Sequence, residues 1–310
     1  MSRWIVAEAD AGTRLDKFLA AADRVGSRGR AAAMLERGKV LVNDIDVGVQ
    51  DAARRLVAGD EVRVWIDRPG SAKRRLGPID LGDLRILHED EVLLVVEKPA
   101  GMLAVPLPRK PDETSVFERL QDHFRSHRHL RPLVVHRIDR DTSGLVVFAK
   151  DPQAQERLEA QFERREPERL YRAIVYGHPE PANGTWRDHL VWDQDALIQK
   201  GTRPNDPRAK EAISRYRLLE AFREASLIEV RLTTGRRNQI RIQAGLRGHP
   251  LIGEQRYVYD PRPAHPIPFG RQALHAFRLS FRHPDDERPL TFESPIPTDM
   301  LDLLARLKRP

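Results

Sequence analysis

From Val134 to Lys150 the chain reads VVHRIDRDTSGLVVFAK: an apolar run, a polar segment HRIDRDTSG, and a second apolar run LVVFAK. The two runs are rich in valine and bounded by turn chemistry, which predicts two buried strands joined by a tight connection. Asp139 sits where the first run gives way to the turn. An aspartate there has two readings. It can be a turn-maker that bonds its own downstream amides, or a carboxylate held at a cleft edge on rigid backbone. By position alone the turn-making role is the commoner of the two.

Outward from this stretch, strand-like runs recur at 84–88, 92–97, 133–138, 145–149, 171–176, 227–232 and 274–281. Helical spacing of apolar residues marks 113–124, 151–165, 238–246 and 298–307. The two kinds do not alternate as βαβ units, so the pattern predicts an α+β fold around a mixed, largely antiparallel sheet. No glycine-rich loop follows a strand, and a nucleotide cofactor therefore has no support.

A composition break precedes this region. Residues 67–77, DRPGSAKRRLG, combine proline, glycine and serine with Lys73, Arg74 and Arg75, the signature of an interdomain linker. In front of it RLDKFLAAA (14–22) has apolar residues at 15, 18 and 19, which is helical spacing. Ser27 is placed to cap a second helix that Gly38 closes, and KVLVN (39–43) and EVRVWI (61–66) alternate as strands. Asn43-Asp44 and Ala58-Gly59-Asp60 read as turns. The second helix and its flanks carry Arg28, Arg30, Arg37 and Lys39 against one acid, Glu36. That face suits either phosphate tracking or plain solvation, and charge alone ranks the two equally. The expected organisation is a small helix-and-strand domain over 1–67, a basic linker over 68–80 and a larger sheet domain over 81–310.

With 310 residues, the chain has room for both domains and their cores. The net charge of +7 and a pI of about 9.8 lean toward a nucleic-acid partner, although 46 acidic residues are interspersed with 53 basic ones. Cysteine is absent, which excludes disulfides, thiol nucleophiles and thiolate metal sites. No run approaches the roughly 20 apolar residues of a membrane span. The opening MSRWIVAEADAGTRL lacks the apolar core of a secretory signal. The expected location is cytoplasmic, and a monomer is the default oligomeric state.

HRID-x-x-TSG followed by an apolar strand and a lysine resembles the central motif of the RluA-type pseudouridine synthases. Further blocks follow in that family's order: VEKPAGMLAVP (96–106), LYRAIVYG (170–177), TGRRNQIRIQAGLRGHPLIG (234–253) and RQALHA (271–276). The resemblance spans about 84–295. It implies the pseudouridine synthase fold and a reaction that needs no metal or cofactor. Uracil leaves its ribose through nitrogen and is rejoined through carbon. It also implies Asp139 as nucleophile, Arg241 as the cation that keeps this carboxylate charged, and Tyr171 as the residue that stacks on uracil and helps move a proton. Arg137, beside the nucleophile, is the expected wedge that fills the gap left by an extruded base, and Arg236 is an expected RNA contact. The front segment, about 12–66, resembles the RNA-binding domain of ribosomal protein S-four, which would make Arg28, Arg30 and Lys39 RNA contacts. That fusion favours large-subunit ribosomal RNA as substrate, with transfer RNA as the other possibility. Asn238 and Gln243 stand where the family has histidines. Neither titrates near neutral pH, and weaker or altered RNA packing is the expected result.

Two rivals remain. A non-catalytic RNA-binding or ribosome-assembly protein would share the charge and the front domain. A magnesium-dependent phosphatase would read Asp139-Arg140-Asp141-Thr142-Ser143 as its signature and need a late acidic pair, for which Asp285-Asp286 is the candidate.

Overall fold

Apolar positions 15, 18 and 19 lie on one side of α1 (Leu15–Leu19) and are fully buried, as their spacing requires. In this computed structural model, which describes residues 2–36, 38–65, 79–107, 113–125, 131–259 and 265–309, that helix belongs to the first of two units. One unit is Met1–Gly77 with His88–Glu91, and the other is Pro78–Leu87 with Val92–Pro310. The basic cluster at 73–75 and Arg37 lie outside the described residues.

In the first unit α1 is shorter than its apolar pattern suggests. The Arg24 guanidinium takes the Phe18 carbonyl (2.8 Å) and the Val25 amide takes the Leu19 carbonyl (2.9 Å), closing the helix early. Ser27 Oγ accepts the Arg30 amide (3.2 Å) at the start of α2 (Arg28–Glu36), the expected cap. Leu15, Phe18, Leu19, Ala31 and Leu35 pack on an antiparallel sheet of β1 (Ser2–Ile5), β2 (Val40–Val42), β3 (Ile45–Val47) and β4 (Glu61–Val64), ordered β1-β4-β2-β3. Asn43 and Asp44 both have positive φ (53° and 65°), and the tight turn they form adds β3, a strand that the pattern did not reveal.

The second unit holds a 12-stranded sheet. Its first half comprises β5 (Ile79–Asp80), β6 (Arg85–Glu89), β7 (Leu93–Lys98), β8 (Leu133–Val134) and β9 (Ser143–Ala149). Then come β10 (Glu168–Tyr176), β11 (Asn183–Asp193), β12 (Ile198–Thr202), β13 (Lys210–Ala221), β14 (Ala225–Leu232), β15 (Leu274–Arg282) and β16 (Pro289–Glu293). The spatial order is β12-β11-β13-β14-β10-β15-β9-β7-β6-β5, with β16 on β15 and β8 on β9. Apart from the parallel contact of β9 with β15, the registered pairs are antiparallel, so the predicted α+β, largely antiparallel architecture is the observed one.

Every residue of β9 is buried because both of its faces are covered. Val146 and Phe148 pack with α3 (Val116–His123), while Leu145, Val147 and Ala149 pack with α4 (Pro152–Glu163). A Ser115–Glu118 capping box opens α3, and Asp151 opens α4 by accepting the amides of Gln153 and Ala154 at 2.9 Å. α5 (Gln239–Leu246) shares the α3 face, and α6 (Thr298–Leu307) covers Ile174 and Leu227 on the other. Gly144 is where β9 and β15 touch. Its φ is +113°, and an added Cβ would stand 2.3 Å from the Ala276 carbonyl oxygen, so only glycine fits there.

Candidate active site

Asp139 is not at a strand end. The strand expected through residue 138 stops at Val134, because Gln155 Nε2 takes the Val134 carbonyl (2.9 Å). Beyond it, the His136 imidazole accepts the Val147 amide (3.1 Å), the donor that a continuing strand would have used. That ring is stacked on Phe162 of α4, and burial, then Arg169, hold it neutral with a pKa down to about 3. The connection 135–142 thereby leaves the sheet and carries Asp139 into a cleft.

The loop is pinned through its carbonyls. The Arg140 carbonyl accepts from the Gly101 amide (3.0 Å) and from Lys98 Nζ (2.7 Å). The Asp141 carbonyl accepts from Arg271 Nη1 (3.1 Å). Lys98 is fully buried and also donates to the carbonyls of Pro99 (2.7 Å) and Met102 (2.8 Å), so its three N–H bonds each have an acceptor. Burial pushes this amine down to about 7, against the pull of Asp141 and Asp139. The Asp139 backbone carbonyl in turn accepts the Thr142 amide (3.1 Å), which closes the turn and leaves the carboxylate to face Arg241.

Arg241 uses every edge of its guanidinium. Nε and Nη2 donate to the two oxygens of Glu254 at 2.6 and 2.8 Å, while Nη1 reaches Asp139 (3.4 Å) and Asn238 Oδ1 (3.3 Å). The Glu254 side chain is completely buried and also accepts the amides of Arg256 (2.9 Å) and Tyr257 (3.3 Å). Burial opposes the charge on both partners, but their mutual hydrogen bonds and charge win. Glu254 is lowered below the ordinary carboxylate range and Arg241 is raised. Asp139, one-fifth exposed, is the open end of this array.

Tyr171 points from β10 into the same cleft and is 8% exposed. Burial lifts its phenol to about 12, with Arg169 pulling down and Asp139 pushing up. Its hydroxyl has no hydrogen-bond partner among the described residues. The cleft holds about 760 Å³ and is lined by Arg137, Arg165, Arg169, Arg236, Arg237 and Arg241 against the acids Asp139, Glu159 and Glu163. Arg236 is anchored on the Glu211 carbonyl (3.1 Å), and Arg237 lies 4.7 Å from the Trp192 ring. Arg137 forms no hydrogen bond among the described residues, and burial, then Arg237, lower its pKa. Such a cleft suits a polyanion whose reacting group must meet a single carboxylate.

A model of the RNA pseudouridylate synthase family matches residues 92–245. An uncharacterized RNA pseudouridine synthase of Bacillus subtilis is 35% identical over 300 residues, spanning 96% of this chain and 94% of that one. The ribosomal large subunit pseudouridine synthase D of Zymomonas mobilis is 38% identical over 304 residues, spanning 96% and 94%. The chain belongs to the RNA pseudouridine synthase family. These relatives agree with the RluA-type resemblance of the motifs. Among solved structures, human RNA pseudouridylate synthase domain containing 4 shares the fold, with a TM-score of 0.59 at 23% identity over 72% of this chain and 92% of that one.

The synthase motifs therefore bring Asp139, Tyr171, Arg241, Arg137 and Arg236 to one cleft. Arg28 and Arg30 are exposed on α2 and Lys39 is half-buried after it, all in the first unit. The two departures from the family histidines have different fates. Asn238, in a left-handed conformation (φ 54°), bridges Arg241 and the Tyr257 hydroxyl (2.8 Å). Gln243 is wholly buried: it accepts from Ser214 Oγ (2.7 Å) and donates to Asp188 (2.8 Å) and to the Trp186 and Ala212 carbonyls. Its place is in the core. Sequence reasoning missed Glu254 and Lys98. A lysine ending the apolar run LLVVEK was a signal, whereas nothing local links Glu254 to an arginine 13 positions earlier. Asp285 and Asp286 are engaged by Arg157 (3.2 Å) and Arg288 (3.2 Å) and do not line the cleft, which removes the acidic pair that the phosphatase reading required. No described helix is long and apolar enough to cross a membrane.

Proposed function

We propose that this synthase modifies uridines of large-subunit ribosomal RNA in the cytoplasm, as a monomer, with Asp139 as its nucleophile. One observation carries the assignment: Arg241 is forked on buried Glu254 and turns its remaining edge toward Asp139 at 3.4 Å. A cation so held keeps a carboxylate ionised as RNA displaces water, and ionisation is what attack near the anomeric carbon requires. Addition to that carbon and formation of a glycal-like species both begin from this geometry. In either route the bond from uracil N1 to ribose breaks, a bond from C5 forms, and the C5 proton is given up while N1 gains one.

Tyr171 enters as a neutral phenol, since its pKa is lifted to about 12. It stacks on the freed uracil and hydrogen-bonds to it while the base turns. A stacked uridine cannot reach Asp139, so the nucleotide is extruded into the cleft. Arg137, beside the nucleophile and without a hydrogen bond among the described residues, would occupy the vacancy. The front domain, with its resemblance to ribosomal protein S-four, tracks phosphates through Arg28, Arg30 and Lys39. Ribosomal RNA is favoured by the kinship with the large subunit pseudouridine synthase D of Zymomonas mobilis and by that front domain.

Transcribed ribosomal and transfer RNAs, incubated with the protein and mapped chemically for pseudouridine, test the reading. Site-specific modification in the large-subunit RNA is expected. Modification confined to transfer RNA would overturn the substrate, and tight binding with no modification anywhere would leave a non-catalytic RNA-binding protein.

A further inference from the structure

Arg169 stands on β10 two residues before Tyr171, so both side chains leave the same face of the strand and line the cleft. Its guanidinium lies 5.6 Å from the centroid of the Phe162 ring on α4. It also abuts the TGR turn, where a Cβ added at Gly235 would come within 2.5 Å of Nη1. The space that this guanidinium fills is therefore made by a missing side chain. Its Nε is buried without a partner, and no carboxylate among the described residues pairs with it. Several other arginines of this domain, Arg172, Arg241, Arg247 and Arg271 among them, each hold a carboxylate. A cation withdrawn from water without a counter-charge is costly, and an anionic ligand is what would repay it. Uracil offers only neutral carbonyls, whereas each linkage of the RNA strand carries a full negative charge.

We infer that Arg169, in the space left by Gly235, is a phosphate seat that grips a phosphodiester adjoining the target uridine and so fixes how far the extruded nucleotide enters the cleft. This rests on the reading that an RNA uridine is the substrate. The seat is separate from the Arg241–Asp139 pair: Arg241 is saturated by Glu254, Asn238 and Asp139, while Arg169 is free to bond.

The test uses a short RNA carrying the mapped uridine, all-phosphate or with one neutral methylphosphonate placed 5′ or 3′ of the target nucleotide. With the wild-type chain, one of the two replacements is expected to weaken affinity about tenfold, the scale of one lost charge-assisted contact. Arg169→Met should show a comparable loss on all-phosphate RNA and no further loss with that methylphosphonate. The slope of log affinity against log salt should become shallower by about 0.7, one phosphate on a single strand. Gly235→Ala keeps the charge but pushes the guanidinium aside, and should reproduce the loss. It carries the test if Arg169→Met melts early. The inference is overturned if the wild type tolerates both methylphosphonates, or if Arg169→Met remains as sensitive to them as the wild type. Affinity is read independently of turnover. Pseudouridine formed as usual on RNA whose binding ignores both methylphosphonates would therefore sink the phosphate seat and leave the proposed reaction standing.

Discussion

Replacing Glu254 by glutamine keeps the shape of the group that holds Arg241 but removes its charge. Two bonds of 2.6 and 2.8 Å now join them inside the protein. An amide offers one acceptor, so one bond survives in weakened form and the other becomes a contact between two donors. Each charged hydrogen bond is worth roughly 1.5–3 kcal/mol, and disrupting one side of a buried pair costs roughly 3–5 kcal/mol. Because half of the fork survives, a loss of about 3 kcal/mol is expected. At roughly 2–4 °C per kcal/mol for a domain of this size, the melting temperature should drop by about 10 °C. The catalytic effect is separate. Held on Glu254 by only one weakened bond, the guanidinium is free to swing toward Asp139 and Asn238, and a misplacement of about 1 Å costs on the order of 100-fold. Turnover on a modified RNA should therefore fall by about that factor with KM nearly unchanged. The sign with pH follows from the lowered Glu254 pKa. Its contribution is present above the ordinary value of 4.5 and is lost as pH falls through the lower folded value. The variant should thus show a shallower loss of stability in acid than the wild type. A variant that melts about 10 °C lower but keeps kcat within twofold would refute the positioning role of Glu254.

Tyr171→Phe should lower kcat while RNA affinity holds. In the wild type, the phenol lifted to about 12 predicts a pH–rate profile with no limb from this group below about pH 10, so a Tyr171-dependent limb near neutrality would contradict its neutral state. Lys98→Met removes the ammonium donor from three carbonyls, and a net loss of about 3 kcal/mol is expected by denaturant melting, with slower turnover because the Arg140 carbonyl is then held by the Gly101 amide alone and the Asp139 loop loosens. Gly144→Ala combines a φ of +113° with a 2.3 Å clash against Ala276 and should cost about 3 kcal/mol or more, so an unchanged melting temperature would refute the reading of the β9–β15 contact. Arg28→Glu with Arg30→Glu should weaken binding of structured RNA and flatten its salt dependence while turnover at saturating RNA persists; unchanged affinity would take the front domain out of RNA binding.

Much of this fold is legible because the strand that follows the Asp139 loop is buried on both faces. Seven consecutive buried residues in β9 read as an apolar run even without neighbours. β11 and β13 were not legible for the converse reason. Their outward positions carry charges such as Arg187, Glu211 and Arg217, which pair across the sheet or with β14 and dilute the apolar signal. The end of β8 was misread because a side chain, His136, replaces a backbone acceptor, and no propensity reports that exchange. In the site, residues inside contiguous motifs could be assigned from their blocks. Glu254 and the space that Gly235 leaves for Arg169 come from chain segments meeting in three dimensions, so their partners could not be read along the chain.

Asp139→Asn is the most direct probe of the central claim. Asparagine retains the size and turn-forming capacity of aspartate, and the backbone bond from the Thr142 amide does not involve the side chain. The measurement is pseudouridine formed on the wild-type target RNA, made alongside the affinity of both proteins for that RNA. Loss of all detectable pseudouridine with affinity kept within a few-fold is the predicted result. Pseudouridine formed by the variant at a rate near that of the wild type would contradict Asp139 as the nucleophile.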